Sequence, residues 1–173
     1  MATSTSNSNI PTDNPIIVAP TNMPFRDDDS LNLDALARNV DKFCDTALSG
    51  FVVGSYGGEE FHMGEPEKIS AIETVVEAHA GRRFVIAGID ALSPTEAVRL
   101  ANLYAEAGAD MVRVRIPPRG RMGAEAPIQE YFEQVTVNSP VPVVIIHQPK
   151  TIMSVDVSPT EVRDIPSLDN VFA

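Results

Sequence analysis

Short apolar runs and longer amphipathic stretches alternate along the chain from residue 15 onward. The runs are rich in β-branched residues and end at proline, glycine or polar residues, which predicts buried strands. They cover residues 15–20, 50–54, 84–89, 111–116 and 141–146, and residues 170–173 begin a sixth run. Apolar positions at helical spacing predict helices at 33–46, 65–80, 94–108 and 126–138, and a capping signature at Ser158 opens a short fifth helix.

The regular alternation of strands and helices determines the predicted fold class. Strands that recur at this spacing with a helix between them form consecutive right-handed parallel β/α units. We predict an α/β fold, a parallel (β/α)8 TIM barrel, of which the chain holds the first five β/α units and the start of strand six. Such a barrel typically needs about 250 residues, so we expect residues 15–173 to be its N-terminal portion, truncated at the C-terminal side. The Ser-, Thr- and Asn-rich residues 1–14 are expected to form a disordered tail.

The charge and cysteine content of the chain limit the partners and the compartment that can be expected. The net charge of −11 argues against nucleic-acid binding and against anionic membranes, because both need a positive surface. No apolar run approaches the roughly 20 residues of a membrane span. The single cysteine, Cys44, lies among apolar helix positions, which predicts a buried structural thiol and a reducing compartment. With no secretory signal at the start, we expect a cytoplasmic protein.

In a barrel of this kind the functional groups lie at the carboxyl ends of the strands. The loop after the second predicted strand contains Ser55, Tyr56, Gly57, Gly58 and Glu59. Its glycines permit close ligand approach and its backbone offers several N–H donors, so it is a candidate anion site. The alternative is a tight connection without a ligand.

Four arginines cluster around the end of the fourth predicted strand: Arg113, Arg115, Arg119 and Arg121. Arginine binds carboxylates and phosphates through paired hydrogen bonds, so a carboxylate-bearing substrate is one explanation. Ion pairing with the surplus acids, at a surface or a subunit contact, is the other, and we favour it for Arg113 and Arg115.

His147 follows the fifth predicted strand, where it could act as a general base. An ordinary hydrogen-bonded histidine is the alternative. His62 and His79 show no metal-ligand spacing with it, so we predict no metal site.

Several of these segments occur in an order and spacing that is typical of one family. They are Pro24-Phe25, the Gly58-Glu59 loop, Glu67-Lys68, the strand end at Gly88, Gly108-Ala109-Asp110, Arg119-Gly120-Arg121-Met122, and Pro142-Val143-Val144 through Pro149. Together they resemble the dihydrodipicolinate synthase and N-acetylneuraminate lyase family of Schiff-base aldolases, over about residues 15–173. The segment 119–122 and the strand at 141–146 look most like the 4-hydroxy-2-oxoglutarate aldolase branch.

The resemblance implies a lyase that usually assembles as a dimer or tetramer of barrels, so a homo-oligomer is expected. In the family a lysine at the end of strand six forms an imine with pyruvate or another 2-oxo acid. The imine itself is the electron sink for C–C cleavage or formation, so no cofactor is expected. A tyrosine at the end of strand five transfers the proton, and the strand-two loop holds the substrate carboxylate.

The chain departs from this pattern at most of the functional positions. The family lysine would fall just beyond Ala173, and the strand-five tyrosine aligns with Ile146. A tyrosine pair after strand four aligns with Pro117-Pro118, and the two threonines of the strand-two loop align with Tyr56-Gly57. The resemblance therefore leaves His147 and Tyr56 as possible proton shuttles. It leaves Ser55, Tyr56, Gly57, Gly58, Glu59, Arg119 and Arg121 as substrate-binding candidates.

Three functions fit these residues. In the first, the chain is part of a Schiff-base lyase and is inactive alone. In the second, it is a non-catalytic homologue that either binds a 2-oxo acid or regulates an active barrel subunit. The third is a self-standing α/β domain with an anion site. The third is the weakest, because the edges of the first and sixth strands would stay exposed.

Overall fold

The computed structural model describes residues 16–117, 127–147 and 157–173. The predicted tail at 1–14 and the arginine segment at 119–122 lie outside these ranges. The strands are β1 (Val18–Pro20), β2 (Gly50–Val53), β3 (Phe84–Ile89), β4 (Met111–Arg115) and β5 (Val143–Ile146). The helices are α1 (Leu33–Phe43), α2 (Glu65–His79), α3 (Pro94–Glu106), α4 (Ile128–Asn138) and α5 (Pro159–Val162).

The sheet confirms the predicted parallel architecture. Its strand order is β1-β2-β3-β4-β5, and both β1–β2 and β4–β5 are parallel pairs. All residues of β2, β3 and β4 are buried, as expected for parallel strands that are covered on both faces. Several elements are shorter than predicted, since β1 begins at Val18, β5 begins at Val143 and α1 ends at Phe43.

The chain divides into two compact units. The first extends to Ile86 and includes Ala107–Asp110, and the second contains Ala87–Glu106 and the chain from Met111 onward. In the first unit, α1 packs on α2, and Arg83 Nη2 donates to the carbonyls of Cys44 and Thr46 at 2.6 and 3.1 Å. A cation at these carbonyls complements the negative end of α1. Cys44 is buried as predicted, and burial raises the pKa of its thiol.

In the second unit, α3 packs on α4 and the chain beyond α5 returns to the sheet. Val171 forms a parallel bridge with Val143, and Ile145 N–H donates to the Ala173 carbonyl at 2.7 Å. The predicted start of strand six therefore lies beside β5. Asn170 anchors this return, since its Nδ2 donates to three carbonyls at 3.1 to 3.2 Å.

A buried histidine in the first unit predicts a pH-dependent stability. Burial lowers the pKa of His79, an effect that the Asp110 carboxylate opposes and Arg82 reinforces. The unfolded chain then binds more protons than the folded chain as the pH falls below about 6.5, so stability is lost in that range. We expect a lower urea midpoint at pH 5.5 than at pH 7.5. His79→Gln should remove this acid loss, whereas replacing the exposed His62 should leave it in place, and an equal loss in both variants would contradict the assignment.

Candidate functional site

The loop after β2 is a pair of tight turns. Ser55 caps the first turn, Tyr56–Gly58, because its Oγ accepts the Gly58 N–H at 3.1 Å and its carbonyl accepts the same N–H at 2.9 Å. Glu59 then takes a left-handed conformation with φ of 59° and starts the second turn, Glu60–His62. The N–H groups that open a turn have no acceptor inside it, and such groups commonly bind anions.

Gly58 fixes this turn against the end of β1. Thr21 N–H donates to the Val52 carbonyl at 2.9 Å, which extends the β1–β2 pairing by one residue. A Cβ atom on Gly58 would lie 2.5 Å from the Thr21 carbonyl oxygen and 3.1 Å from Ser55 Oγ. Only glycine fits, so the turn is held directly on the backbone at the carboxyl end of β1.

The side chains of the predicted loop site differ sharply in burial. Tyr56 is 61% exposed and forms an edge-to-face pair with Phe61, at a centroid distance of 6.1 Å. Glu59 is exposed, whereas its neighbour Glu60 is 2% exposed. Glu59 was predicted as a site residue and Glu60 was not, because nothing in the local sequence distinguishes two adjacent glutamates. The left-handed conformation of Glu59, between the two turns, directs the Glu59 side chain outward.

A charged cluster lies at the carboxyl ends of β3 and β4. Arg113 and Arg115 are 5% and 2% exposed, and Asp90, whose side chain is 23% exposed, follows the last residue of β3. Arg115 binds both Asp90 oxygens, through Nε to Oδ1 and through Nη2 to Oδ2, the latter at 3.4 Å. Arg113 Nη2 lies 3.8 Å from Asp90 Oδ2. The predicted ion pairing is confirmed, but the pair does not lie at an exposed surface, since both arginines are buried within the second unit.

Asp90 was not predicted as a site residue. The backbone next to it is held in place by a side chain of α4. Tyr131 is fully buried, and its hydroxyl donates to the Ala91 carbonyl at 2.9 Å. Burial, together with the nearby Asp90 charge, raises the pKa of Tyr131, so the phenol stays protonated and keeps donating. The residue that follows Asp90 is thereby held in place. An aspartate directly after a buried strand was the only signal available in the sequence.

The remaining predicted residues are more scattered. His147 is exposed directly after β5, and Ile146, the last residue of that strand, is partly buried. Arg119 and Arg121 lie outside the described residues. Ser55 to Glu59 belong to the first unit, whereas His147, Arg113 and Arg115 belong to the second.

Residues 16–117, 127–147 and 157–173 contain neither a metal-binding cluster of side chains nor a membrane-spanning helix. No three or more His, Cys, Asp or Glu side chains in these ranges are grouped so as to hold a metal ion. Every helix in the same ranges is too short or too polar to cross a bilayer.

Comparison with known proteins gives consistent matches. The sequence model of the Dihydrodipicolinate synthetase family matches residues 14–173. A 4-hydroxy-tetrahydrodipicolinate synthase from Methanothrix thermoacetophila is 32% identical over 150 residues, which cover 87% of this chain and 50% of that relative. The chain thus spans about half the length of the curated relatives that it matches.

Solved structures show the same fold. A putative dihydrodipicolinate synthetase from Pseudomonas aeruginosa superposes with a TM-score of 0.80 and 26% identity, over 90% of this chain and 53% of that one. A putative dihydrodipicolinate synthase family protein from Coccidioides immitis superposes with a TM-score of 0.78 and 27% identity, over 91% of this chain and 50% of that one. An N-acetylneuraminate lyase from Mycoplasma synoviae, at 23% identity and a TM-score of 0.70, is similar in fold. The predicted barrel class is confirmed for the part of the barrel that the chain covers.

Proposed function

The chain belongs to the dihydrodipicolinate synthetase family, and from this membership we propose that it is part of a Schiff-base lyase acting on pyruvate or another 2-oxo acid. The chemistry needs an amine that adds to the keto carbon and loses water to form an imine. The protonated imine then accepts the electron pair of the C–C bond that breaks, which gives an enamine. The 173 residues supply the part of this site that binds the acid.

The observation that carries the proposal is the Ser55–Gly58 turn. It stands at the carboxyl end of β2, where barrels of this kind bind ligands. Its opening N–H groups and the Ser55 hydroxyl are donors suited to a carboxylate. Contact between Gly58 and the Thr21 backbone fixes these donors before a ligand arrives, which reduces the entropy lost on binding.

We propose that the 173-residue chain forms no imine by itself. Its three lysines are Lys42, Lys68 and Lys150, and none lies at the end of strand six. Ile146, which takes the place of the family tyrosine, has no proton to transfer. This apolar residue also favours the second candidate function, a non-catalytic homologue that binds a 2-oxo acid or regulates an active barrel subunit.

The proposal is tested by binding and by trapping. Titration calorimetry with pyruvate should give a binding isotherm, whereas borohydride with pyruvate should leave the mass of the chain unchanged. Ser55→Ala should weaken binding about fivefold to tenfold, as expected for one lost hydrogen bond to a charged group. Ser49→Ala is the matched control, because Ser49 Oγ also accepts a backbone N–H, that of Ile17 at 3.1 Å.

Three outcomes would count against it. Absence of pyruvate binding would contradict the 2-oxo acid site. An equal loss of pyruvate affinity in Ser55→Ala and Ser49→Ala would show that the loop after β2 does not contribute to that site. A trapped adduct on any of the three lysines would show that an amine elsewhere in the chain has taken the catalytic role.

The family resemblance also leads us to propose a cytoplasmic homo-oligomer, with neither nucleic acid nor membrane as a partner. Size-exclusion chromatography with light scattering tests the assembly, and a monomer at micromolar concentration would contradict it.

A further inference from the structure

We propose that Tyr56 and Phe61 make the 2-oxo acid site selective for acids that carry an aromatic ring. This selectivity rests on the proposed function, because it names the kind of 2-oxo acid that the loop after β2 binds. Both residues lie in that loop and in the first compact unit, together with the donors of the Ser55–Gly58 turn.

The two aromatic side chains lie together and remain largely exposed. Tyr56 is 61% exposed and Phe61 is 56% exposed, and their ring planes meet at an angle of 74°. Two rings at such an angle form a corner, in which a third ring can contact the face of one and the edge of the other. Exposed apolar side chains that lie together, rather than singly, commonly mark a binding site. An aromatic ring in this corner removes apolar area from water on both sides.

The corner is next to the donors that hold the acid. Tyr56 is the first residue of the turn Tyr56–Gly58, so its N–H has no acceptor inside the turn. The same residue therefore supplies a donor for a carboxylate and one wall of the aromatic corner. A 2-oxo acid held by this N–H begins its carbon chain beside the residue whose ring it contacts.

The loop that carries both rings is fixed before a ligand arrives. Gly58 holds the first turn on the Thr21 backbone, where a side chain at position 58 would clash. His62 N–H donates to the Glu59 carbonyl at 2.9 Å, which closes the second turn around Phe61. Aromatic side chains on such a rigid loop lose little conformational entropy on binding, because each has only two torsion angles to fix.

The charge of the same loop disfavours 2-oxo acids with a second carboxylate. Glu59 is exposed directly after the first turn, and the chain carries a net charge of −11. A second carboxylate on the ligand would be repelled by this negative charge, whereas an uncharged ring is not. Aromatic 2-oxo acids therefore fit this loop better than dicarboxylic ones.

Two acids that differ only by a phenyl ring test the selectivity. The probes are 2-oxobutanoate and 2-oxo-4-phenylbutanoate, and calorimetry on the 173-residue chain gives the ratio of their dissociation constants. The wild type should bind the phenyl acid about tenfold more tightly. Tyr56→Ala and Phe61→Ala should each reduce this ratio to about twofold or less, whereas Tyr56→Phe, which keeps the ring, should retain it. Because both side chains are mostly exposed, the variants should fold.

Phe43→Ala is the matched control. Phe43 is also an exposed aromatic residue of the first unit, at 45%. It ends α1, however, and the chain after α1 leads into the amino end of β2 rather than its carboxyl end. Its replacement should leave the ratio at about tenfold.

The ratio separates recognition of the ring from a general effect on the loop. Substitutions that merely weakened the loop would lower both affinities and keep the ratio, which would overturn the inference. Equal affinities in the wild type, as expected if a second copy of the chain covered the pair, or an equal loss in Phe43→Ala would overturn it too. In each case binding of 2-oxobutanoate leaves the proposed function standing, whereas failure of the wild type to bind either acid overturns both.

Discussion

Asp90→Ala is expected to lower the free energy of unfolding by about 3–5 kcal/mol, the usual cost of removing one partner from a buried ion pair. The substitution deletes the carboxylate that Arg115 binds through two nitrogens and that lies 3.8 Å from Arg113 Nη2. Both guanidiniums would keep their charge in a site with little access to water. Urea denaturation at pH 7 measures the loss.

The control for this variant is a carboxylate in an exposed pair. Asp164 binds Arg163 Nε at 2.8 Å, but both side chains are mostly exposed, so Asp164→Ala should change the unfolding midpoint little. A loss in Asp90→Ala no larger than in this control would mean that Asp90 does not stabilise the buried arginines.

The arginines of β4 show why the fold was easier to predict than the cluster. Arg113 and Arg115 alternate with Val112 and Val114, and the prediction favoured for both arginines was ion pairing with acids at a surface or a subunit contact. The structure buries every residue of β4, because Asp90 supplies the charge that makes burial of a guanidinium tolerable. That partner lies more than twenty residues earlier in the chain, and no local pattern links the two.

Features set by neighbouring residues were predictable. The capping signature at Ser158 is present as expected, with its Oγ accepting the Glu161 N–H, and Ser93 likewise accepts the Glu96 N–H at 3.2 Å. The strand positions followed from β-branched runs, since those residues favour a pleated, buried surface. The difference in burial between Glu59 and Glu60 was not predictable. It depends on the left-handed conformation of Glu59, which is imposed by the turns on either side of it.

Gly58→Ala is expected to destabilise the chain by about 1–3 kcal/mol and to abolish pyruvate binding. The new methyl carbon would lie 2.5 Å from the Thr21 carbonyl oxygen, a backbone atom held by the β1–β2 pairing. The turn must therefore move off the end of β1, and its N–H donors move with it. Urea denaturation measures the loss of stability, and calorimetry with pyruvate measures the loss of binding.

Gly57→Ala provides a control one residue away in the same turn. Its methyl carbon would meet only Pro20 Cβ, at an ordinary contact distance of 3.8 Å, so stability should change little. If Gly58→Ala were as stable as Gly57→Ala, the turn would not be anchored on β1. If Gly58→Ala were destabilised and yet bound pyruvate with wild-type affinity, the acid would have to bind away from this turn, because its donors cannot keep their places once the methyl group is present.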